Sequence, residues 1–205
     1  MTVLISGFRR ADGAANASAL LVDSLRRDLP EELRLQARLL RFELLDYDEA
    51  ADGPSQQARL QRQLSEILSR HAPQICLFTG QAPGRNRISI ERLALNLFGG
   101  EVIEPGGPVG CWSTLPDLPR LAGLLLKHGI PAELSSHAGT YLCNHLLYSA
   151  LRLAQMQGGG PLAGFVHLPV NPLQLDSYPG DPFMPLEMVR KAISLIALQI
   201  IEGCG

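Results

Sequence analysis

The opening stretch Met1-Thr2-Val3-Leu4-Ile5-Ser6-Gly7-Phe8, with Arg9-Arg10-Ala11-Asp12-Gly13 and residues 14–29 behind it, decides the fold. Residues 2–6 form a short apolar run closed by a glycine, the pattern of a buried strand. Residues 14–29 then place Leu20, Leu21 and Leu25 on one helical face and stop before Pro30, whose ring cannot continue a helix. Strand then helix is the unit of a parallel sheet, and the alternation recurs along the chain. Residues 37–45 read as a second strand. Residues 54–71 read as a helix with Leu60, Leu64, Ile67 and Leu68 inward, and residues 75–79 as the next strand. That strand runs into the loop Gly80-Gln81-Ala82-Pro83-Gly84-Arg85, after which residues 90–98 mix apolar and polar character. Gly99-Gly100 and Gly106-Gly107-Pro108 mark turns. Residues 115–128 follow as a helix closed by Gly129, with Ile130-Pro131 leading to a short strand. A helix over 140–156 ends at Gly158-Gly159-Gly160. A strand spans 163–168, and a closing helix spans 185–201 with Pro185 in its first turn. The architecture expected is α/β: an open, mostly parallel twisted sheet flanked by helices on both faces.

Length and composition set the outer limits. The 205 residues, with no linker, repeat or low-complexity tract, fit one domain over residues 1–205. A 46% hydrophobic and 19% charged composition is that of a compact globular chain. Lys and Arg number 18 against 20 Asp and Glu, a formal charge of -2 with no basic stripe, so no nucleic-acid partner is expected. Residues 193–201 are too short an apolar run for a bilayer, which takes about 20 residues, so no membrane partner is expected. No basic leader or small-residue cleavage site opens the chain, and a cytoplasmic location is the expectation. Cys76, Cys111, Cys143 and Cys204 lie far apart without CxxC pairs, which favours reduced thiols.

Three residues could carry chemistry. Cys143 lies where the small-residue turn Ser136-His137-Ala138-Gly139-Thr140 runs into a helix, so unpaired amides and the positive end of the helix dipole would favour its thiolate. A buried apolar thiol is the ordinary alternative. His167, in Gly164-Phe165-Val166-His167-Leu168-Pro169, falls at the carboxyl end of a strand, where open α/β sheets place their sites. His71, His128, His137 and His145 compete for the role of base, His71 and His128 reading as helix-end cations. Glu91 could orient an imidazole, or form a solvated pair with Arg92. Neither GxGxxG nor GxxxxGK[ST] is present, which excludes the usual dinucleotide and phosphate cradles, and HExxH or paired Cys/His spacing is absent as well. No cofactor or metal is expected.

Taken in order, the motifs resemble the pyroglutamyl peptidase I (pyrrolidone-carboxylate peptidase) family of cysteine peptidases over most of the chain. They are Gly7-Phe8 with Asn16 and Ser18; Thr79-Gly80-Gln81-Ala82 with Gly84-Arg85 and residues 90–96; Ser113-Thr114-Leu115-Pro116; Gly129-Ile130-Pro131-Ala132; Ala138-Gly139-Thr140-Tyr141-Leu142-Cys143-Asn144-His145; and 164–169. The resemblance implies a thiol peptidase that removes an N-terminal pyroglutamyl residue through a thioester, without cofactor, as a homotetramer or dimer. Cys143 would be the nucleophile, His167 the base and Glu91 the third member, with the Cys143 amide as oxyanion donor. Phe8, Asn16, Gln81, Tyr141 and Leu142 would bind substrate. The family's GFxPFGG reads Gly7-Phe8-Arg9-Arg10-Ala11-Asp12-Gly13 here, so Ala11 replaces a phenylalanine of the ring pocket. An arginine that relatives carry about ten places beyond the glutamate falls, on an ungapped count, at Glu101; Arg85 and Arg87 are the candidates to replace it. These departures leave open a related cysteine amidase with a different acyl specificity, or an impaired relative that only binds.

Overall fold

The computed structural model describes residues 1–203; Cys204 lies outside them. Among the described residues, eight strands and six α-helices alternate along the chain. The main sheet has the order β2 (Leu40–Tyr47), β1 (Val3–Arg10), β3 (Ile75–Gln81), β8 (Leu162–Leu168), β4 (Ile88–Glu91) and β7 (Ala132–Ser135). The first four strands are mutually parallel; β4 runs antiparallel to β8, and β7 runs parallel to β4. The mostly parallel α/β architecture read from the alternation is the one the chain adopts.

Strand alternation sorts side chains between two helical layers, because successive residues of a strand point to opposite faces. Val3, Ile5, Ile75, Leu77, Ile88, Ile90, Val166 and Leu168 join the layer built with α1 (Ala17–Arg27), α4 (Leu118–Lys127) and α6 (Leu186–Gly203). Leu4, Cys76, Phe78, Ala163 and Phe165 join the opposite layer, built with α3 (Gly53–His71) and α5 (Leu142–Met156). The same parity sends Gly80, Ser89, Glu91 and His167 to the α3/α5 side. No helix is long and apolar enough, among the described residues, to cross a membrane.

Several boundaries differ from the sequence reading, each for a local reason. The second strand begins at Leu40 rather than residue 37, because Ala37–Leu39 closes a 3-10 turn behind the short helix α2 (Glu31–Arg34). Residues 90–98 are not one element: β4 ends at Glu91, and β5 (Leu93–Leu95) pairs antiparallel with β6 (Gly110–Trp112) in a separate ribbon. The helix expected from residue 115 begins at Leu118, since Ser113 Oγ and the Thr114 amide are bonded to the Ala163 carbonyl and Asp117 caps the Arg120 amide. Gly129, at φ 71°, closes α4 in the left-handed conformation expected of a helix-terminating glycine. Pro185 precedes α6 and supplies a capping carbonyl to the Met188 and Val189 amides.

The β1-to-α1 connection that opens the fold depends on a missing side chain. A Cβ on Gly7 would lie 2.5 Å from the Ser18 carbonyl oxygen. Asn16 caps α1 through the Ser18 amide, and Ser18 Oγ accepts from the Phe8 amide at 2.9 Å, so strand and helix are tied at this closest approach. Gly7→Ala is therefore expected to destabilise the protein by about 2 kcal/mol or more through overpacking against backbone, read as a lower urea midpoint.

Candidate active site

Two strands and one helix supply the central groups. Glu91 ends β4 and His167 lies one residue from the end of β8, both on the α3/α5 side of the sheet. The antiparallel register sets Ser89 opposite His167 and Glu91 opposite Phe165. Glu91 Oε1 accepts from His167 Nδ1 at 2.8 Å, a bond that fixes the ring's tautomer and leaves Nε2 with its lone pair. Arg85 Nη1 donates to the same oxygen at 2.7 Å, and its Nη2 donates to the His137 carbonyl at 2.7 Å.

Cys143 is the second residue of α5, whose N-cap, Tyr141, offers no side-chain hydrogen bond to the first amides. Those amides stay available to an incoming oxygen. The sulfur lies over Gly80, which pairs in register with His167, and a Cβ on Gly80 would lie 2.8 Å from Cys143 Sγ. Glycine is required here because the Phe165 ring, 2.7 Å from such a Cβ, and the sulfur occupy the space a side chain would fill. Phe165 packs against His167 with ring centroids 4.7 Å apart, and Phe8 packs against Phe165 at 6.5 Å.

The charge states follow from burial. Burial alone would raise the Glu91 carboxyl, but the hydrogen bond and charge of His167, with Ser135 and Arg85, outweigh it and hold the group below its ordinary value. Burial lowers His167 by more than Glu91 raises it, so the imidazole rests neutral. The Cys143 thiol is pushed up to about 12, by burial first and the Glu91 charge second, although the residue keeps partial solvent access. The helix-end thiolate expected from the sequence is thus corrected to a resting thiol.

The remaining histidines separate from the base. His71 bonds Glu43 Oε1 at 2.6 Å instead of capping its helix, while His128 bonds the Leu124 carbonyl at 2.9 Å as a helix-end group does. His137 contributes its carbonyl to Arg85. His145 is fully buried with neither ring nitrogen hydrogen-bonded. Arg92 turns to Ser136 Oγ, so the adjacent Glu91-Arg92 ion pair does not form. The partner of Glu91 is Arg85, which the sequence offered only as a stand-in at the substrate carbonyl; Arg87 bonds Asn86 and sits 3.8 Å from Glu133.

Among the residues assigned to substrate by resemblance, Phe8 is buried, and Tyr141 and Leu142 line a cavity of about 580 Å³ beside the start of α5. Asn16 Oδ1 caps α1, and its amide nitrogen reaches the Tyr47 hydroxyl at 3.4 Å. Gln81 Oε1 is held by the Ala17 amide at 2.8 Å and by Gln174 Nε2 at 2.7 Å. Ala11 lies exposed in a turn. Tyr47 and Phe98, which the sequence did not single out, wall the same cavity. Tyr47 stands edge-on to Phe8, and Phe98 packs on Tyr141 and on His145 at centroid distances of 5.3 Å and 5.5 Å. Asn144, also unmarked, bonds the Leu95 amide and the Leu95 and Leu97 carbonyls, which ties the ribbon to α5.

A doubly wound sheet with a thiol at a helix start, and with a carboxylate-held imidazole on the same side of the sheet, is the arrangement expected of a cysteine-type hydrolase on an α/β fold. The pyroglutamyl peptidase family model matches residues 49–202. A pyrrolidone-carboxylate peptidase of Bacillus cereus (strain Q1) is 38% identical over 144 residues, covering 64% of this chain and 66%, just under two thirds, of that protein. One from Bacillus mycoides (strain KBAB4) is 36% identical over 162 residues, covering 70% and 75%. In structure, the pyroglutamyl peptidase I of Bacillus amyloliquefaciens superposes with a TM-score of 0.80 at 29% identity, over 97% of this chain and 94% of that one. A mutant pyrrolidone carboxyl peptidase from Pyrococcus furiosus gives 0.82 at 27% identity, over 99% of each chain. The chain belongs to the pyroglutamyl peptidase family.

His145 makes the site's stability depend on pH. Burial lowers its pKa from 6.5 to about 4, so the unfolded chain binds the extra proton first as pH falls. Stability on this account is complete above pH 6.5 and declines from there to about pH 4, a loss of about 3 kcal/mol by linkage. Urea unfolding of wild type and His145→Leu at pH 7.5 and pH 4.5 should show the wild type losing more stability, by that order, than the variant.

Proposed function

We propose that this chain hydrolyses the amide bond after an N-terminal pyroglutamyl residue, with Cys143 as nucleophile, His167 as base and acid, and Glu91 as the group that orients His167. The observation that carries the assignment is the bond from His167 Nδ1 to Glu91 Oε1, which leaves Nε2 as the acceptor on the side of the sheet where the sulfur lies. Cys143 Sγ attacks the pyroglutamyl carbonyl while its proton passes to His167 Nε2. The oxygen gains negative charge among the first amides of α5, those of Leu142 and Cys143. The C–N bond then breaks, the leaving amine takes the proton from His167, and a thioester remains. Water attacks it with His167 as base, releasing pyroglutamate and restoring the thiol.

The ring of the substrate lies in the cavity beside Tyr141 and Leu142, where Tyr47 and Phe98 serve as the wall that Ala11 does not provide. An apolar enclosure with a few polar groups suits a neutral lactam. This reading treats residues 1–205 as one peptidase domain acting in the cytoplasm on pyroglutamyl peptides, with no nucleic-acid or membrane partner. It takes the assembly as a homotetramer or dimer, which the exposed Val109 and Trp112 beside the β5–β6 ribbon support as apolar contact surface. A family-typical acyl group is favoured over a different amidase or a binding protein, because thiol, base and orienting carboxylate are all retained.

Purified protein should release the amine from a pyroglutamyl arylamide, while Cys143→Ala is inert; equal inactivity of the two would overturn the assignment. The pH profile gives a second test. His167 must be neutral to act, and burial lowers its pKa, so kcat/KM should persist below pH 6.5 before falling. Glu91 raises His167, so Glu91→Gln should move that acid limb to lower pH and reduce kcat/KM by about 100-fold to 10,000-fold, as expected when an imidazole loses its orienting carboxylate.

A further inference from the structure

The cavity lined by Tyr141 and Leu142, the two residues that precede Cys143, has an asymmetric rim. Its walls are Tyr47, Phe98, Tyr141 and Leu142, and the charged groups lining it are Glu49 and Glu101, with no Lys or Arg among the described residues. Both carboxylates are exposed to solvent. Glu49 is paired with Arg10 at 2.6 Å, but that guanidinium is shared with Asp12, also at 2.6 Å, so two carboxylates divide one positive charge. Glu101 forms no ion pair among the described residues.

Glu101 is held in place by backbone. Its carbonyl accepts from the Phe98 amide at 2.8 Å and its amide donates to the Phe98 carbonyl at 3.0 Å, with Gly99 at φ 61° making the tight turn between them. The Gly99 amide also donates to the Thr140 carbonyl at 2.6 Å, which fastens this hairpin to the segment leading into Cys143. Phe98, buried against Tyr141 and His145, anchors the same hairpin from below. The backbone of Glu101 is therefore fastened to the segment that leads into the nucleophile, and its side chain lines the cavity.

We infer that Glu101, with Glu49, makes the mouth of this site selective for a cationic residue immediately after the scissile bond: pyroglutamyl peptides that continue with Lys or Arg are preferred over those that continue with Asp or Glu. The inference rests on the proposed pyroglutamyl activity. With the acyl ring inside the aromatic cavity and its carbonyl at Cys143, the leaving residue exits through the open side, where these carboxylates stand. An extended Lys or Arg side chain meets negative charge there and the faces of exposed Tyr141 and half-buried Tyr47, a combination that attracts cations. An acidic side chain meets like charge.

The test compares kcat/KM for three peptides that differ only after pyroglutamate, carrying Lys, Ala or Glu, at pH 7.5 and low salt. Lys should exceed Glu by about tenfold, the order expected of exposed charge pairs plus a cation–π contact. Glu101→Gln should cut that ratio to about threefold, and Glu101→Lys should reverse it. A wild-type ratio near one, or a ratio that both substitutions leave unchanged, would overturn the inference while leaving pyroglutamyl hydrolysis intact. Affinities of the same peptides for Cys143→Ala protein read the rim without turnover. A Lys-over-Glu preference in binding that Glu101→Gln weakens supports the inference even if cleavage fails, and equal affinities overturn it.

Discussion

A carboxylate with no solvent exposure is costly unless its charge is matched, and Glu91 is such a group. Its compensation comes from two directions. His167 on β8 and Arg85 on the loop after β3 both donate to Oε1, and Arg85 continues to the His137 carbonyl ahead of α5. One buried charge thus fastens the carboxyl ends of two strands to the two loops that frame the site. The reversed direction of β4 makes this possible: running antiparallel to β8, it delivers Glu91 to the level of Phe165, diagonally across from His167. Loss of either donor would leave the carboxylate underpaired where water cannot replace the bond.

Much of this was legible in the sequence, for physical reasons that also explain what was not. The strands at the sheet's centre, β1, β3 and β8, are covered on both faces and read as mostly apolar runs. Helix α3 declares itself through the inward row Leu60, Leu64 and Ile67. β4 escaped as a strand because two of its four residues, Ser89 and Glu91, are polar and buried for the sake of the site rather than the core. The triad candidates were reached through motif resemblance, and strand parity gives them an independent physical basis, since Glu91 and His167 share a face with Gly80. Arg85 was visible as a candidate but its side chain could not be placed, because its partner depends on the path of a loop. Tyr47 and Phe98 carry no local signal, being brought together only where the end of β2, a hairpin and the start of α5 converge.

The thiol shows why a motif's position does not by itself set its chemistry. A helix N-terminus stabilises a nearby negative charge by roughly 0.3–2 kcal/mol. Burial, with the charge of Glu91 added, works against the thiolate and pushes the Cys143 thiol up to about 12. The larger effect wins, and the resting site holds a thiol beside a neutral imidazole instead of an ion pair. The Glu91 charge that disfavours the thiolate also favours the imidazolium, so charge separation becomes easier once the sulfur's proton has moved to His167 and its electrons are committed to a carbonyl.

The acyl cavity extends the same economy of parts. Ala11 sits in an exposed turn, out of the aromatic enclosure, and the wall comes from Tyr47 at the end of β2 and from Phe98 on the hairpin. Phe98 packs on Tyr141, the N-cap of α5, and on His145 within it, two residues to either side of Cys143. Nucleophile and wall are therefore referenced to the same helical turn, so a shift of that turn carries both together and preserves their relative geometry. His145 can serve there only as a neutral ring, since burial holds it uncharged and it has no partner for a proton. The residue that sets the wall is thereby also the one that makes the enclosure sensitive to acid.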